Sequence, residues 1–253
     1  MTNFKDHFSG HAADYARARP TYPAALFSYL AELAPTRGLT WDCGTGNGQA
    51  ARGLAEHFAR VVATDASADQ IANAAPHPRI SYRVAPAEDS GLETASIDLV
   101  TAAQALHWFD IDRFFAECNR VLLPGGILAT ITYRLTEVNP EIDPIVEHLA
   151  DEVVGPYWPP EAALVEEEYR SIVLPFPELT PPTLEMAVDW DLTAFVSYLG
   201  TWSAVHRYRA ATGTDPLAMV WPQLSAAWRQ GSRRVHWPLS VRVCRKPSGN
   251  VTT

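Results

Sequence analysis

Strand-like and helix-like segments alternate along residues 23–133, and this alternation restricts the chain to a small set of folds. Short apolar and β-branched runs predict strands at 39–43, 60–64, 80–84, 97–103 and 127–133. Apolar residues spaced three and four apart predict helices at 24–34, 49–58, 68–75 and 112–122, the last capped by Asp112. Strands that alternate with helices form right-handed crossovers and parallel sheets. We therefore expect an α/β fold with a doubly wound, mainly parallel sheet.

The pattern changes after residue 134, where prolines become frequent and the regular alternation stops. Further strands are predicted at 183–190 and 234–246, which would complete a seven-stranded sheet. Helices are predicted at 192–206 and 216–229, and the acidic run 166–168 is expected to be the solvated face of another helix. We expect this region to form a helical lid inserted after strand five, over the end of the sheet where ligands bind.

Composition and charge exclude several classes of protein. The 253-residue chain has 47% hydrophobic residues and a formal net charge of −9, which argues against a protein that binds duplex nucleic acid. Cys43, Cys118 and Cys244 form no CxxC pair, so we expect reduced core thiols and no metal site. The N-terminus lacks the apolar region of a signal peptide, and no apolar stretch is long enough to span a bilayer. We expect a cytoplasmic monomer or weak homodimer that binds neither membranes nor nucleic acid.

The most specific motif is TWDCGTGNGQAA, residues 40–51. Gly44, Gly46 and Gly48 follow a predicted strand and precede a predicted helix, so the backbone could approach a ligand where a Cβ atom would collide. The alternative interpretation is a tight turn without a ligand. Asp65 ends the next predicted strand, and an acid at that place in a nucleotide-binding sheet holds ribose hydroxyls. The pattern favours a nucleoside ligand.

Two further residues separate the classes of nucleoside ligand. The dinucleotide fingerprint GxGxxG would place a third glycine at position 49, where this chain has Gln49. Asp42 precedes the glycines, and a carboxylate there would repel an anionic pyrophosphate but could hold a cationic group. A ligand with an amino-acid end is therefore favoured over a nicotinamide dinucleotide. A nicotinamide-dependent oxidoreductase remains the alternative.

Five motifs together resemble the class I S-adenosylmethionine-dependent methyltransferases. They are WDCGTGNG (41–48), VVATDAS (61–67), APAED (85–89), IDLVTAAQALHWFD (97–110) and RVLLPGGILA (120–129). DYARARPTYP (14–23), QALHWFD (104–110) and LGTWSAVHRY (199–208) are similar to the trans-aconitate methyltransferase-like, type 11 group. The resemblance implies transfer of a methyl group from S-adenosylmethionine to a small-molecule acceptor, most readily at a carboxylate or hydroxyl oxygen, with S-adenosylhomocysteine as product. A cofactor-binding protein of the same fold without catalysis is a further alternative.

The resemblance also implies which residues contact the cofactor. Tyr15 and Arg19 would cover it from the N-terminal segment, with Arg19 at its carboxylate. Gln104 and Trp108 would lie beside its methionine end, whereas Ala87 and Glu88 would frame the adenine. Many relatives carry an acid where this chain has Pro86, so the adenine contact here is altered. The implied cofactor-binding residues are Tyr15, Arg19, Asp42, Gly44, Thr45, Gly46, Gln49, Asp65, Ala66, Gln70, Ala87, Glu88, Gln104 and Trp108.

His107 and Tyr22 are the candidates for the acceptor side of the site. A carboxylate acceptor is ionised at neutral pH and needs no base, whereas a hydroxyl, phenol or amine must lose a proton. His107 could take that proton or orient the acceptor, or it could only fix the loop after strand four. An acidic acceptor would need cations, for which the lid region offers Arg134, Arg170, Arg207 and Arg209. Trp158, Trp202 and Tyr208 could line an apolar pocket or belong to the core.

These expectations divide the chain into four regions. Residues 1–22 would cover the cofactor, and residues 23–135 would form the S-adenosylmethionine-binding core. Residues 136–232 would form the lid and substrate region, with the strand near 183–190. Residues 233–253 would supply the closing strand and a tail.

Overall fold

A computed structural model describes residues 19–249 of the chain. Its strands are β1 (Leu39–Cys43), β2 (Arg60–Asp65), β3 (Ile80–Val84), β4 (Ile97–Ala103), β5 (Leu122–Tyr133), β6 (Glu178–Leu179), β7 (Glu185–Trp190) and β8 (Arg233–Arg245). Its α-helices are α1 (Ala24–Leu33), α2 (Gln49–Ala55), α3 (Ala68–Ala72), α4 (Ile111–Val121), α5 (Asp143–His148), α6 (Ala162–Glu166), α7 (Leu192–Leu199), α8 (Ser203–Thr212) and α9 (Pro216–Trp228). Leu106–Trp108 and Gly155–Tyr157 form 3-10 turns, and Leu149–Val153 forms a π-helical turn.

The strands form a single layer with the order β3-β2-β1-β4-β5-β8. Strands β1 to β5 are parallel, and β8 runs antiparallel to β5. Strands β6 and β7 pair with successive parts of the other edge of β8, at residues 243–244 and 233–238. Pro181 and Pro182 separate β6 from β7, because proline cannot donate to a ladder hydrogen bond. Since β6 and β7 share one position beside β8, the sheet has seven strand positions, which confirms the predicted doubly wound, mainly parallel fold.

Helices cover both faces of the parallel part of the sheet. On one face, α1 and α2 bury Leu26, Leu30 and Leu54 against the strands. On the other face, α4 buries Phe114 and Cys118 together with residues 169–174 of the insertion. Such burial stabilises by roughly 1.5–3 kcal/mol for each large apolar side chain. All three cysteines are free and buried, which confirms the prediction of core thiols.

The insertion between β5 and β8 builds a separate apolar cluster against the first half of β8. Phe195 of α7 and Trp228 of α9 stack with ring centroids 4.9 Å apart, and both are buried. Trp202 is also buried in this cluster, and Trp158 and Tyr208 pack against it. The predicted helical lid after strand five is confirmed, and these three aromatic residues belong to its core.

Several predicted boundaries were wrong, each for a local reason. Helix α4 begins at Ile111, and its N-cap is Asp110, whose carboxylate accepts from the Arg113 N–H group. The predicted helix 192–206 is two helices, because α7 ends at Leu199 and α8 begins only at Ser203. The acidic run is not a helix face, because α6 ends at Glu166 and Glu168 has a left-handed backbone with φ of 54°. Within residues 19–249, no helix is both long enough and apolar enough to cross a bilayer.

Candidate active site

A cavity of about 490 Å³ lies at the carboxyl ends of the parallel strands. The strand order reverses between β1 and β4, which is where a doubly wound sheet forms its ligand crevice. Most residues predicted from the sequence to bind a cofactor or acceptor line this cavity. They are Arg19, Tyr22, Asp42, Gly44, Thr45, Gly46, Gln49, Asp65, Ala66, Gln70, Ala87, Glu88, Gln104 and Trp108. Tyr15 lies outside the described residues, and His107 is not on the cavity wall.

The glycine loop forms one wall of the cavity and packs directly on the loop that follows β4. Gly44 has φ of 66°, in the left-handed region that side chains disfavour. A Cβ atom on Gly44 would lie 2.5 Å from the Cβ atom of Ala105 and 3.0 Å from the Phe109 ring. Because neither neighbour is a flexible chain end, only glycine allows the two loops to approach this closely. The turn thus fixes the width of the crevice.

Asp65 at the end of β2 connects the glycine loop to the start of α3. One oxygen, Oδ2, accepts from the Gly46 N–H group at 2.8 Å, and Oδ1 accepts from the Ser67 N–H group at 2.9 Å. Ser67 in turn caps α3 by accepting from the Gln70 N–H group. The Asp65 carboxylate also lines the cavity.

Gln70 presents an unusual polar atom to the same part of the cavity. Its side chain is 5% exposed, and its Oε1 has no hydrogen-bond partner among the described residues. A buried acceptor without a partner costs roughly 1–3 kcal/mol. A ligand that donates a hydrogen bond here would remove that cost.

Asp42 lies at the end of β1 and is almost completely buried. Its Oδ2 accepts from the Thr45 hydroxyl at 2.5 Å, and its Oδ1 accepts from the Thr101 hydroxyl at 2.8 Å. Burial raises the pKa of this carboxyl to about 6, and the nearby charge of Asp65 adds to the effect, although the two hydroxyls oppose it. A cation placed beside Asp42 would favour its ionised form.

Glu88 and its neighbours close the cavity beyond the end of β3. The Oε1 atom of Glu88 accepts from the Asp110 N–H group at 2.8 Å, so this carboxylate supports the first turn of α4. Ala87 and Pro86 line the cavity beside it. Position 86 therefore presents the apolar ring of Pro86 in place of the acid that many relatives carry. Glu88 already accepts a hydrogen bond from the protein backbone at Asp110.

Gln104 connects the ends of β4 and β5 and does so with a strained backbone. Its φ is 51°, which is uncommon for a residue with a side chain. Its Oε1 accepts from the Thr132 hydroxyl at 2.5 Å, and its Nε2 donates to the Tyr133 carbonyl at 3.1 Å. These bonds fix the side chain at the edge of the cavity. Strain of this kind is concentrated at functional sites.

Residues 19–22 contact the end of β5 and the start of α2. The Nη1 atom of Arg19 donates to the Tyr133 hydroxyl at 2.9 Å, and its guanidinium lies 5.5 Å from the centre of the Tyr198 ring. The rings of Tyr22 and Tyr133 meet edge to face, with centroids 6.3 Å apart. Gln49 donates to the Pro20 carbonyl at 2.6 Å, which ties this segment to α2 as well.

Sequence reasoning missed a group of residues that the structure places on the wall. Most lie inside the quoted motifs, beside residues that were predicted, so treating every residue of each motif as a candidate would have found them. Tyr133 had a signal in its position at the end of strand five, whereas Glu161 comes from the insertion and had none. The missed residues are Asn47, Ala50, Ser67, Ala85, Pro86, Ala103, Ala105, Phe109, Asp110, Tyr133 and Glu161.

His107 points away from the cavity towards the insertion. Its Nδ1 lies 2.8 Å from the Tyr169 hydroxyl, and its ring centroid is 4.7 Å from that of Trp108. Burial lowers the pKa of the imidazole to about 4, so the ring is neutral at pH 7. The contact with Tyr169 is a sufficient structural reason for the residue. A role as base or in orienting an acceptor stays a prediction.

This lowered pKa predicts a dependence of stability on pH. The unfolded chain binds a proton at His107 near pH 6.5, whereas the folded chain does so only near pH 4. The stability of the folded state is therefore full above pH 6.5 and falls as the pH decreases below it. Urea titrations measure the free energy of unfolding at pH 7 and at pH 5. Between these pH values, we expect this free energy to fall by about 2 kcal/mol less in His107→Gln than in the wild type. Equal losses in the two proteins would contradict the buried neutral imidazole.

Comparisons with known proteins identify the fold and its family. A family model described as a methyltransferase domain matches residues 41–130. A protein of Dictyostelium discoideum named as a methyltransferase is 31% identical over 232 residues, which cover 90% of this chain and 88% of that protein.

Solved structures agree. A protein of Anaeromyxobacter dehalogenans, named as a type II methyltransferase, is 52% identical with a TM-score of 0.85, covering 90% of this chain and 99% of the other. A phosphoethanolamine N-methyltransferase of Haemonchus contortus, solved with S-adenosylhomocysteine, shares the fold at 16% identity and a TM-score of 0.52, covering 98% of this chain and 61% of that one.

These comparisons coincide with the observed strand order and with the glycine loop at the end of β1. They favour the methyltransferase interpretation over the nicotinamide-dependent alternative, as Gln49 and Asp42 do in the sequence. The chain therefore belongs to the class I S-adenosylmethionine-dependent methyltransferases.

Proposed function

We propose that this cavity binds S-adenosylmethionine across the ends of β1 and β2 and directs its methyl group to an oxygen of a small molecule held at the ends of β4 and β5. The observation that carries the proposal is the continuity of the cavity. One wall contains both the Asp65 carboxylate with its glycine loop and the side chains of Gln104 and Tyr133. A donor and an acceptor could therefore meet without crossing protein.

The residues present fit the cofactor. Asp65 lines the cavity at the end of β2, where a carboxylate can accept from ribose hydroxyls, and the unpartnered Oε1 of Gln70 belongs to a residue of the same wall. Asp42 supplies negative charge near the start of the glycine loop, where the amino-acid end of the ligand would be stabilised. Arg19 also lines the cavity and could pair with the carboxylate of that end. Ala66, Ala87 and Glu88 would surround the adenine.

The bound cofactor supplies an electrophilic methyl group on a positively charged sulfur. The protein's own contribution is to align the acceptor with that group and to exclude water. Alignment of two reactants can contribute up to about 7–11 kcal/mol to lowering a barrier. Gln104 and Tyr133 are fixed by hydrogen bonds at the ends of β4 and β5, so they are suited to positioning. The segment around Arg19 and Tyr22 covers this end of the site.

No histidine lies on the part of the wall formed by residues 19–249, which suits an oxygen acceptor that needs no histidine base. His107 lies off the wall and already contacts Tyr169, and its imidazole is neutral at pH 7. A carboxylate needs no proton removed, and a hydroxyl can release its proton to water as its oxygen is methylated. Tyr22 lines the acceptor end through its contact with Tyr133, so we retain it as an acceptor-contacting residue.

Methyl transfer can be tested directly with isotope-labelled S-adenosylmethionine. The full chain is incubated with panels of carboxylates, phenols, alcohols and amines, and the labelled position is identified by mass spectrometry. We expect label on oxygen. Label found only on nitrogen or carbon would contradict the oxygen acceptor, and S-adenosylhomocysteine binding without any transfer would favour a non-catalytic binding protein.

Asp42 should make cofactor affinity depend on pH. Because burial raises the pKa of Asp42 to about 6, part of the free protein carries a neutral carboxyl below that pH. An ammonium group beside Asp42 requires the ionised form, so binding is weakened as the pH falls through 6. We expect the Kd for S-adenosylhomocysteine to rise about tenfold between pH 7 and pH 5.

The control is the neutral variant Asp42→Asn, which retains the shape of the side chain. Its affinity is expected to be lower at pH 7 and nearly independent of pH over the same range. Calorimetric titration of both proteins measures the difference. A parallel rise of Kd in the variant would assign the pH dependence to another group.

A further inference from the structure

We propose that the methyl acceptor is an uncharged aromatic hydroxyl compound and not a carboxylate. The inference deepens the proposed function and rests on it. Its basis is the chemistry of the part of the cavity at the ends of β4 and β5, here called the acceptor half. This half is lined by Arg19, Tyr22, Gln104, Trp108, Tyr133 and Glu161.

Positively charged side chains are scarce on the described part of the cavity wall. Arg19 is the one positively charged residue on the part of the wall formed by residues 19–249. It already donates to the Tyr133 hydroxyl, and its guanidinium faces the Tyr198 ring. Its remaining capacity is directed to the carboxylate of the cofactor in the proposed function. On this part of the wall, a carboxylate acceptor would therefore lose its hydration without gaining a cationic partner, which is unfavourable.

The arginines of the insertion do not supply the missing charge. Arg134 and Arg170 pair with Glu168 at 3.1 and 3.3 Å, and Arg209 pairs with Asp215 at 2.9 Å. None of these three side chains lies on the wall, and neither does Arg207. The cations available in the sequence for an acidic acceptor are thus placed elsewhere.

Negatively charged side chains outnumber positively charged ones on the same part of the wall. Asp42, Asp65 and Glu88 line the cofactor half, and Glu161 lies on the acceptor half. Glu161 is the N-cap of α6, which packs on the turn Leu106–Trp108, and both Glu161 and Trp108 line the cavity. An anionic acceptor would be repelled by this set of carboxylates, whereas a neutral one would not.

Aromatic side chains form much of the acceptor half. The rings of Tyr22 and Tyr133 meet edge to face, and Trp108 is a further aromatic residue on the wall. Trp108 is itself held by the His107 ring, which is fixed by Tyr169. Flat aromatic ligands gain favourable contacts with such rings, in stacked or edge-to-face geometry.

The reaction balances without any additional reagent. A lone pair of the hydroxyl oxygen forms the new bond to the methyl carbon, and the pair of the broken carbon–sulfur bond remains on sulfur. The hydroxyl proton leaves to water, which reaches the cavity where Glu161 is exposed to solvent. The products are an aryl methyl ether, S-adenosylhomocysteine and a proton.

The test uses compounds that differ in charge but share one ring system. The full chain, with isotope-labelled S-adenosylmethionine, is given 2-naphthol, 2-naphthoate or 2-naphthylamine at pH 7.5, and kcat/KM is measured for each. We expect 2-naphthol to exceed 2-naphthoate by at least about tenfold. A larger kcat/KM for 2-naphthoate or 2-naphthylamine overturns the inference and leaves the chain a methyltransferase. If the chain binds S-adenosylhomocysteine but does not label 2-naphthol, the inference is also overturned. If the chain does not bind S-adenosylhomocysteine at all, the proposed function itself is contradicted.

A matched pair of charge reversals tests the role of the local field. Glu161→Lys places a cation on the acceptor half, so the ratio of kcat/KM for 2-naphthoate to that for 2-naphthol should rise about tenfold. Glu166→Lys makes the same change in net charge at an exposed position of α6 that is off the wall, and it should leave the ratio unchanged. An equal rise in both variants would show that net charge, and not the cavity, governs the choice of acceptor.

Discussion

Replacing Gly44 by alanine is expected to lower the affinity for S-adenosylhomocysteine by more than about 100-fold. This corresponds to a loss of roughly 3 kcal/mol of binding free energy, as expected when contacts between the ligand and the wall are broken. The new Cβ atom would lie 2.5 Å from the Cβ atom of Ala105, so the glycine loop and the loop after β4 must separate. Such a movement displaces the two walls between which we propose that the cofactor binds. Calorimetric titration of the folded variant measures the loss.

Gly91 provides the matched control, because it has nearly the same backbone conformation without the contact. Its φ is 65°, against 66° for Gly44, and a Cβ atom there would meet nothing within 4 Å. Gly91→Ala should therefore lose only the stability due to the strained backbone, about 1–2 kcal/mol, and keep its cofactor affinity. If Gly44→Ala bound S-adenosylhomocysteine as well as Gly91→Ala does, the close approach of the two loops would have no part in binding.

Replacing Asp65 by asparagine is expected to raise the KM for S-adenosylmethionine about 100-fold and to leave kcat at saturation within about threefold, because the lost hydrogen bonds hold the cofactor in ground state and transition state alike. The amide has one acceptor oxygen where the carboxylate has two. It must therefore give up the Gly46 or the Ser67 N–H group in addition to ribose hydroxyls.

The control for Asp65 is Asp69→Asn, which removes the same charge from the first turn of α3. Asp69 is exposed and lies off the cavity wall, so its loss should change KM less than about twofold. Steady-state kinetics with the acceptor found in the labelling experiment separates the two variants. A loss of kcat instead of an increase in KM for Asp65→Asn would assign Asp65 to the chemical step.

Most of the sheet was predictable because its longer strands are local signals, whereas the two-residue strand β6 was not predicted. The bounds of β1, β3 and β4 agree with those expected from short apolar runs. Helix ends were less predictable, because they depend on caps. The N-cap of α4 is Asp110 and not the predicted Asp112, and the Asp110 N–H group donates to Glu88, which is distant in the sequence.

The cofactor half of the site was predictable for a similar reason. Its residues lie within a few positions of the ends of consecutive strands, and parallel strands bring those ends together. The acceptor half depends on the insertion, which has no regular pattern. Glu161 reaches the cavity from residues whose sequence gives no sign of it.

His107 shows what adjacency in the sequence leaves open. The 3-10 turn Leu106–Trp108 directs Trp108 into the cavity and His107 towards Tyr169. Tyr169 itself has φ of 58° and is buried, so its position depends on the tertiary structure of the insertion. A partner 62 residues away in the chain could not be identified from the motif that contains His107.

The most direct test of the account is a calorimetric titration of the full chain with S-adenosylhomocysteine and, separately, with NAD. The cavity described here predicts one site per chain for S-adenosylhomocysteine, displaced by S-adenosylmethionine and weakened by Asp65→Asn but not by Asp69→Asn. It predicts no binding of NAD, because Gln49 stands where the dinucleotide fingerprint requires glycine. Binding of NAD without binding of S-adenosylhomocysteine would contradict the assignment of the site.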